Sequence, residues 1–164
     1  MPFAVVHIIT AFAILGIVRH YFFSKKTLTP RVILIGGIAG LLPDLDIPLG
    51  WVYDFVTGTS LNLHGLFLHS VLFPTLTLLI AIVLFIAKKK KLAVIFSAIT
   101  FGLILHSSLD CLFGGVDKNF LWPLNSVNSC PEFGLAGFAE ELDAMFFVLW
   151  LGYLEFRKKV KDYI

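Results

Sequence analysis

Crossing the ~30 Å hydrocarbon core of a bilayer takes a helix of about 20 apolar residues. This chain offers such stretches along most of its course. Phe3–Phe23, Leu66–Ala87 and Leu92–Phe113 each meet the length cleanly. Phe133–Leu154 is long enough but carries Glu140, Glu141 and Asp143 in its first half. Val32–Leu42 is shorter, with a rise of about 18 Å for about 12 residues. Thr29-Pro30 opens it as N-cap and first helical residue. The expected fold is all-α: a polytopic membrane bundle of about five helices, the second one short, forming a single integral-membrane domain over residues 1–164. Composition agrees. The chain is 58% hydrophobic and 15% charged, against ~45–50% and ~25% in soluble domains. That excludes a disordered chain, a nucleic-acid-binding tail and an ordinary water-soluble domain. The first apolar run lacks a basic stretch before it and a small-residue cleavage site after it, so it reads as a retained helix.

Charge placement orients the bundle. Arg19, Lys25, Lys26 and Arg31 surround the first loop, Lys88–Lys91 form the third, and Arg157, Lys158, Lys159 and Lys161 follow the fifth helix. Twelve of the thirteen basic residues thus fall on one face, with Lys118 the exception. The positive-inside rule makes that face cytoplasmic and puts the N-terminus outside. Arg19 and His20 read as interfacial.

The other face collects His and carboxylate. The first helix brings His7, the second ends in Pro43-Asp44-Leu45-Asp46, and the third is entered through His64-Gly-Leu-Phe-Leu-His69-Ser70. The fourth ends with His106-Ser-Ser-Leu-Asp110 and the fifth begins with Glu140-Glu141-Leu-Asp143. His106 and Asp110 are i, i+4 and share a helix face. His64 and His69, five apart, do not, which puts His64 in the loop and His69 in the first turn of the third helix. Pro43 reads as the end of the second helix, with both Asp residues turning from it toward one point. Taken singly, His7 is a polar helix end, Asp44 and Asp46 a helix stop, and Asp54, Asp117 and Glu132 loop residues. Jointly His7, Asp44, Asp46, His64, His69, His106 and Asp110 form a ligand set for zinc, manganese or iron, and ionisable groups at membrane depth need such partners.

The ordered motifs Pro-Asp-x-Asp, His-x4-His-Ser, His-x3-Asp, then Gly114 or Gly115 and Trp122-Pro123, preceded by His7, resemble the LexA-regulated, membrane-bound metal-dependent hydrolase family. The likeness runs from His7 to Pro123. That family's middle motif usually has an Arg after its first His and a Thr before its second; here Gly65 and Leu68 stand there. The His-x3-Asp element is also loosely similar to zinc-dependent phospholipase C. The resemblance implies hydrolysis, with phosphoester chemistry the nearest class.

The function expected is metal-dependent hydrolysis of a phosphoester or other lipid-like substrate at the extracytoplasmic boundary of the inner membrane. One or two divalent ions, zinc before manganese or iron, would be held by His7, Asp44, Asp46, His64, His69, His106 and Asp110. Asp46, Glu140 and Glu141 are the candidates for catalytic carboxylates, although Glu140 and Glu141 equally suit a helix N-terminus. The partner is a membrane lipid or lipid-linked substrate, and no nucleic acid. The rival readings are a metal or proton transporter, which the nearly uncharged inner halves of the helices disfavour, and a non-catalytic protein stapled by a structural metal. Cys111 and Cys130 both fall on the outer side, where an oxidising compartment would allow pairing.

Overall fold

The structure is a computed structural model and describes residues 4–60, 64–65, 67–113, 121–122, 145, 148–149 and 152–153. Five α-helices and two 3₁₀ turns are complete within them: α1 (Ala4–Tyr21), α2 (Pro30–Ala39), α3 (Asp46–Thr57), α4 (Leu72–Ile86) and α5 (Lys90–Phe113), with turns at Pro43–Leu45 and Phe67–His69. There is no strand among the described residues. The all-helical expectation holds, but these are not the five helices read from hydropathy.

Three elements differ. The second helix begins where expected: Thr29 takes the N-cap and its Oγ1 accepts from Val32 N at 3.4 Å, with Pro30 behind it. It closes at Ala39, earlier than Leu42. Pro43 opens a 3₁₀ turn instead of ending a helix, and the chain runs on into α3, a helix that hydropathy does not mark. Pro48 and Gly50 disguise α3. Pro48 lies in its first turn, where no intrahelical N–H is needed, and Gly58 closes it at φ 67 with its N–H on Asp54 O at 2.9 Å. Asp54 is therefore helical. The third expected helix is interrupted at Ser70, whose Oγ donates to Phe67 O at 2.7 Å, before α4 starts at Leu72. Most of Phe133–Leu154 lies outside the described residues; positions 145, 148–149 and 152–153 are helical.

Among the described helices, α5 alone is long and apolar enough to cross a membrane. The pair formed by α2 and Pro43–Thr57 reaches span length only as one element bent by 47°. The other two apolar helices, α1 and α4, are shorter.

The long α5 is the centre, packing on α4, α2 and α1. Contact with α2 is close because both faces are glycine. A Cβ on Gly102 would collide with the Gly36 carbonyl oxygen and come within 3.0 Å of Gly40 N. Small residues of this kind let helix backbones approach where no hydrophobic driving force separates protein from lipid. Thr77 and Thr100 hydroxyls meet at 2.9 Å across the α4–α5 interface. Leu15, Leu28, Val32, Ile33 and Ala98 form the buried apolar core. Outward, α4 exposes Leu76, Leu79, Val83 and Ile86, a surface suited to lipid.

Helix direction sorts the charges. From His7 to Arg19, α1 runs away from the His/Asp set, and α5 returns from Lys90 to His106 and Asp110. The described basic loops, at residues 25–31 and 88–91, and the His/Asp residues therefore occupy opposite ends. Arg19 is buried at 7% exposure, not interfacial as its position implied. Tyr21 and Tyr153 hydroxyls meet at 2.8 Å at the basic end.

Candidate metal centre

Four segments, separated by up to a hundred residues, meet at the other end. His7, His69, His106 and Asp110 are each at most 1% exposed, and Asp46 is 5% exposed. Asp44 and His64 are more open, with side chains 22% and 20% exposed.

His106 is fixed first. Its Nδ1 lies 2.7 Å from the Gly40 carbonyl oxygen, so Nδ1–H donates and Nε2 faces the centre. Gly40 caps α2, and the Gly102 contact one turn below His106 brings that carbonyl within reach. His69 is fixed next. Its Nδ1 lies 3.0 Å from Asp46 Oδ2, which turns its Nε2 the same way. The two Nε2 atoms are 3.2 Å apart. If His69, like His106, carries its proton on Nδ1, two Nε2 lone pairs face each other in a buried space, an arrangement that a cation between them relieves.

Two carboxylate oxygens complete the set. Asp44 Oδ1 lies 3.7 Å from His69 Nε2 and 3.6 Å from His106 Nε2. Asp110 Oδ2 lies 3.5 Å and 3.3 Å from the same two atoms. A tetrahedral zinc with bonds of ~2.0–2.1 Å holds its donors about 3.3–3.4 Å apart. Five of the six edges of such a tetrahedron are given by donor–donor separations of 3.2–3.7 Å. His106 and Asp110 share a face of α5, as their spacing required.

The remaining expected ligands stand around this cage. His7 Nε2 is 3.4 Å from Asp110 Oδ1, and its ring stacks on His106 at 3.9 Å between centroids. Asp46 spans two histidines: Oδ1 accepts from His64 Nδ1 at 2.9 Å, while Oδ2 faces His69 and accepts from Gly65 N–H at 3.1 Å. Gly65 has φ 83, a conformation that glycine adopts without penalty. His64 stands in that turn, as expected. His69 ends a 3₁₀ turn ahead of α4 instead of starting the helix itself. Asp44, His64 and His69 offer ligand atoms within 4.8 Å of one another, as do His7, His106 and Asp110. Glu140, Glu141 and Asp143 lie outside the described residues.

Sequence reasoning missed Gly40, Gly65 and Gly102, which contribute backbone and space. The only signal was their position, one beside His64 and one four residues before His106. Trp122 packs edge-on against Phe67 at 5.7 Å, bringing the Trp-Pro element beside the His69 turn. Cys111, the residue after Asp110, is disulfide-bonded. The chain has two cysteines, and Cys130 lies outside the described residues.

Residues 1–161 match the sequence profile of a family described as YdjM inner membrane protein. The chain belongs to this family. It is an inner membrane protein, which gives the apolar surface of α4 and the length of α5 their solvent. No curated protein and no solved structure matches the chain.

Proposed function

We propose that this inner membrane protein is a metal-dependent hydrolase acting on a phosphoester or other lipid-like substrate. The observation that carries the reading is the cage of His69 Nε2, His106 Nε2, Asp44 Oδ1 and Asp110 Oδ2, buried except at Asp44. A divalent cation in such a cage, zinc before manganese or iron, polarises a phosphoryl or carbonyl oxygen and acidifies water. His69 and His106 bind through Nε2, held in orientation by Asp46 and by the Gly40 carbonyl. Asp46 has its oxygens engaged by His64, Gly65 and His69, which supports an orienting role over that of a ligand. His64 and Asp44 form the open edge, where a substrate arriving from the bilayer meets the centre. The pair His7 Nε2 and Asp110 Oδ1 offers an adjoining edge for a second ion. Glu140 and Glu141 stay candidates for a general base.

Two features support an extracytoplasmic orientation. The basic loops lie at the far end of the bundle. Cys111, beside a cage residue, is disulfide-bonded, and disulfides persist in oxidising compartments. A cysteine replacing Thr59 in a cysteine-free background is then labelled by an impermeant thiol reagent on intact cells; labelling only after lysis reverses the orientation.

One observation favours a second reading. Four protein donors are what a closed structural zinc site has, so a metal staple is the alternative. Metal content and hydrolysis, measured together on gently purified protein, separate the two. Bis(p-nitrophenyl) phosphate and phosphatidylglycerol are the first substrates to test. Bound transition metal with turnover supports the hydrolase. Bound metal without turnover on phosphoester, ester or amide lipids favours the staple. Protein without metal ends both readings.

A further inference from the structure

We propose that the end of the bundle opposite the metal centre binds one anionic phospholipid of the cytoplasmic leaflet, an acyl chain in a cavity and the headgroup phosphate against lysines. The cavity has a volume of about 250 Å³. Leu15 and Val18 of α1, Phe23 and Leu28 of the first loop, and Val94 and Phe101 of α5 make its walls. Thr27 and Ser97 add a hydroxyl each to a lining that is otherwise hydrocarbon. A cavity of that chemistry in a membrane protein takes a chain more readily than water, which needs two to four polar partners.

Depth fits one leaflet. Val94 and Phe101 stand ~6 Å and ~16 Å along α5 from Lys90 by helical rise. Half of the ~30 Å hydrocarbon core is the length that one leaflet's chains occupy.

Charge fits the headgroup. Lys90 and Lys91 precede Val94 by four and three residues, hence share its helix face one turn nearer the membrane surface. Lys26 projects from the loop between Phe23 and Leu28, which are themselves wall residues. Lys26, Lys90 and Lys91 are all exposed. Every carboxylate among the described residues lies beyond the end of α2 or at the end of α5: Asp44, Asp46, Asp54 and Asp110. Glu155 and Asp162, which the sequence puts at the same end, lie outside the described residues; within them a phosphate at the basic end meets only cations. Basic pockets between helices at the cytoplasmic surface have this selectivity for acidic headgroups.

The test is native mass spectrometry of the detergent-purified full chain. Phosphatidylglycerol and phosphatidylcholine with identical chains are added in turn. One phosphatidylglycerol is expected to stay bound, about tenfold more tightly than phosphatidylcholine. The triple variant Lys26→Gln, Lys90→Gln, Lys91→Gln should bring the two lipids level. Ser97→Phe puts a ring into the cavity from an exposed wall position and should reduce retention of both. Equal retention of the two lipids by the natural chain overturns the proposal, as does an unchanged preference in the triple variant. Unchanged retention by a folded Ser97→Phe protein also overturns it. Should that variant not fold, the lysine variant decides. None of these outcomes depends on whether the far end holds a metal.

Discussion

The two ends of the bundle are built from the same helices and obey opposite rules. Along α1, His7 and Arg19 are twelve residues apart, about 18 Å; along α5, Lys90 and His106 are sixteen apart, about 24 Å. At the His/Asp end His7, Asp46, His69, His106 and Asp110 are buried, Asp44 and His64 partly so, and each faces another: His7 with Asp110, His106 with Asp44 and Asp110, His69 with Asp46, His64 with Asp46. At the basic end Lys25, Lys26 and Lys88–Lys91 are exposed, and among the described Lys and Arg residues only Arg19 is buried. Burial is the difference. A charged group removed from water costs several kcal/mol unless partners compensate it, so the positions of the buried groups are mutually determined. Exposed lysines keep their hydration, and therefore set orientation while constraining packing little. One end is a constellation, the other a count.

That contrast is most easily broken at His106. His106→Ala removes a cage donor and should cut bound zinc from about one equivalent to a small fraction of one, read by elemental analysis. In the natural chain, zinc at about a thousand times its Kd should raise stability by ~4 kcal/mol, and chelation should reverse the gain. The variant should show no zinc-dependent shift in its unfolding transition. No comparable effect is expected from any single lysine at the other end.

A smaller effect is expected at Asp46. If it orients His69 and His64 without binding the ion, Asp46→Asn should keep the zinc stoichiometry and lower affinity about 10–100-fold. Loss of zinc as complete as in His106→Ala would put Asp46 among the donors. Gly102→Ala comes next. Its Cβ meets the Gly36 carbonyl, and separating α2 from α5 should cost ~1–3 kcal/mol in unfolding experiments. It should also loosen the contact between Gly40 and His106, so zinc affinity falls with it.

These cases show what the sequence made legible. Which side chains gather was readable because His and Asp are costly within an apolar membrane chain unless they meet partners there, and the i, i+4 spacing of His106 and Asp110 translated directly into a shared face. Separation of the ends followed from where the lysines stood. The division of labour within the set was not readable. Asp44 faces the Nε2 atoms of His69 and His106, whereas Asp46 faces His64, Gly65 and the Nδ1 of His69, yet they are two residues apart in one motif and chemically identical. Only the path of the chain through the Pro43–Leu45 turn into α3 tells them apart. That path was hidden because Pro48 and Gly50, which read as a break, lie where a helix tolerates them. Backbone contributors are silent as well: nothing marks Gly40 as an acceptor until α2 is packed on α5.

The smallest expected effect lies at the basic end and tests whether that end is free of close constraint. Helices α3 and α4 finish in related ways with different residues. Gly58 closes α3 at φ 67, whereas α4 closes at Lys88 with φ 59. Lys89 N–H bonds Leu84 O at 2.9 Å behind it, the long bond of a helix C-terminal motif in which glycine is the usual occupant. Left-handed backbone costs a residue with a Cβ ~1–2 kcal/mol. Lys88→Gly removes that strain and returns part of the gain, since glycine has ~0.5–1 kcal/mol more backbone entropy to lose on folding. The net expectation is a stabilisation of about 0.5 kcal/mol, seen as a slightly higher unfolding midpoint in detergent. The neighbouring lysines keep the loop basic, so orientation should not change. Destabilisation by about 1 kcal/mol or more would mean that the Lys88 side chain is held by a specific contact. The basic end would then be, like the other, a place where individual side chains are fixed.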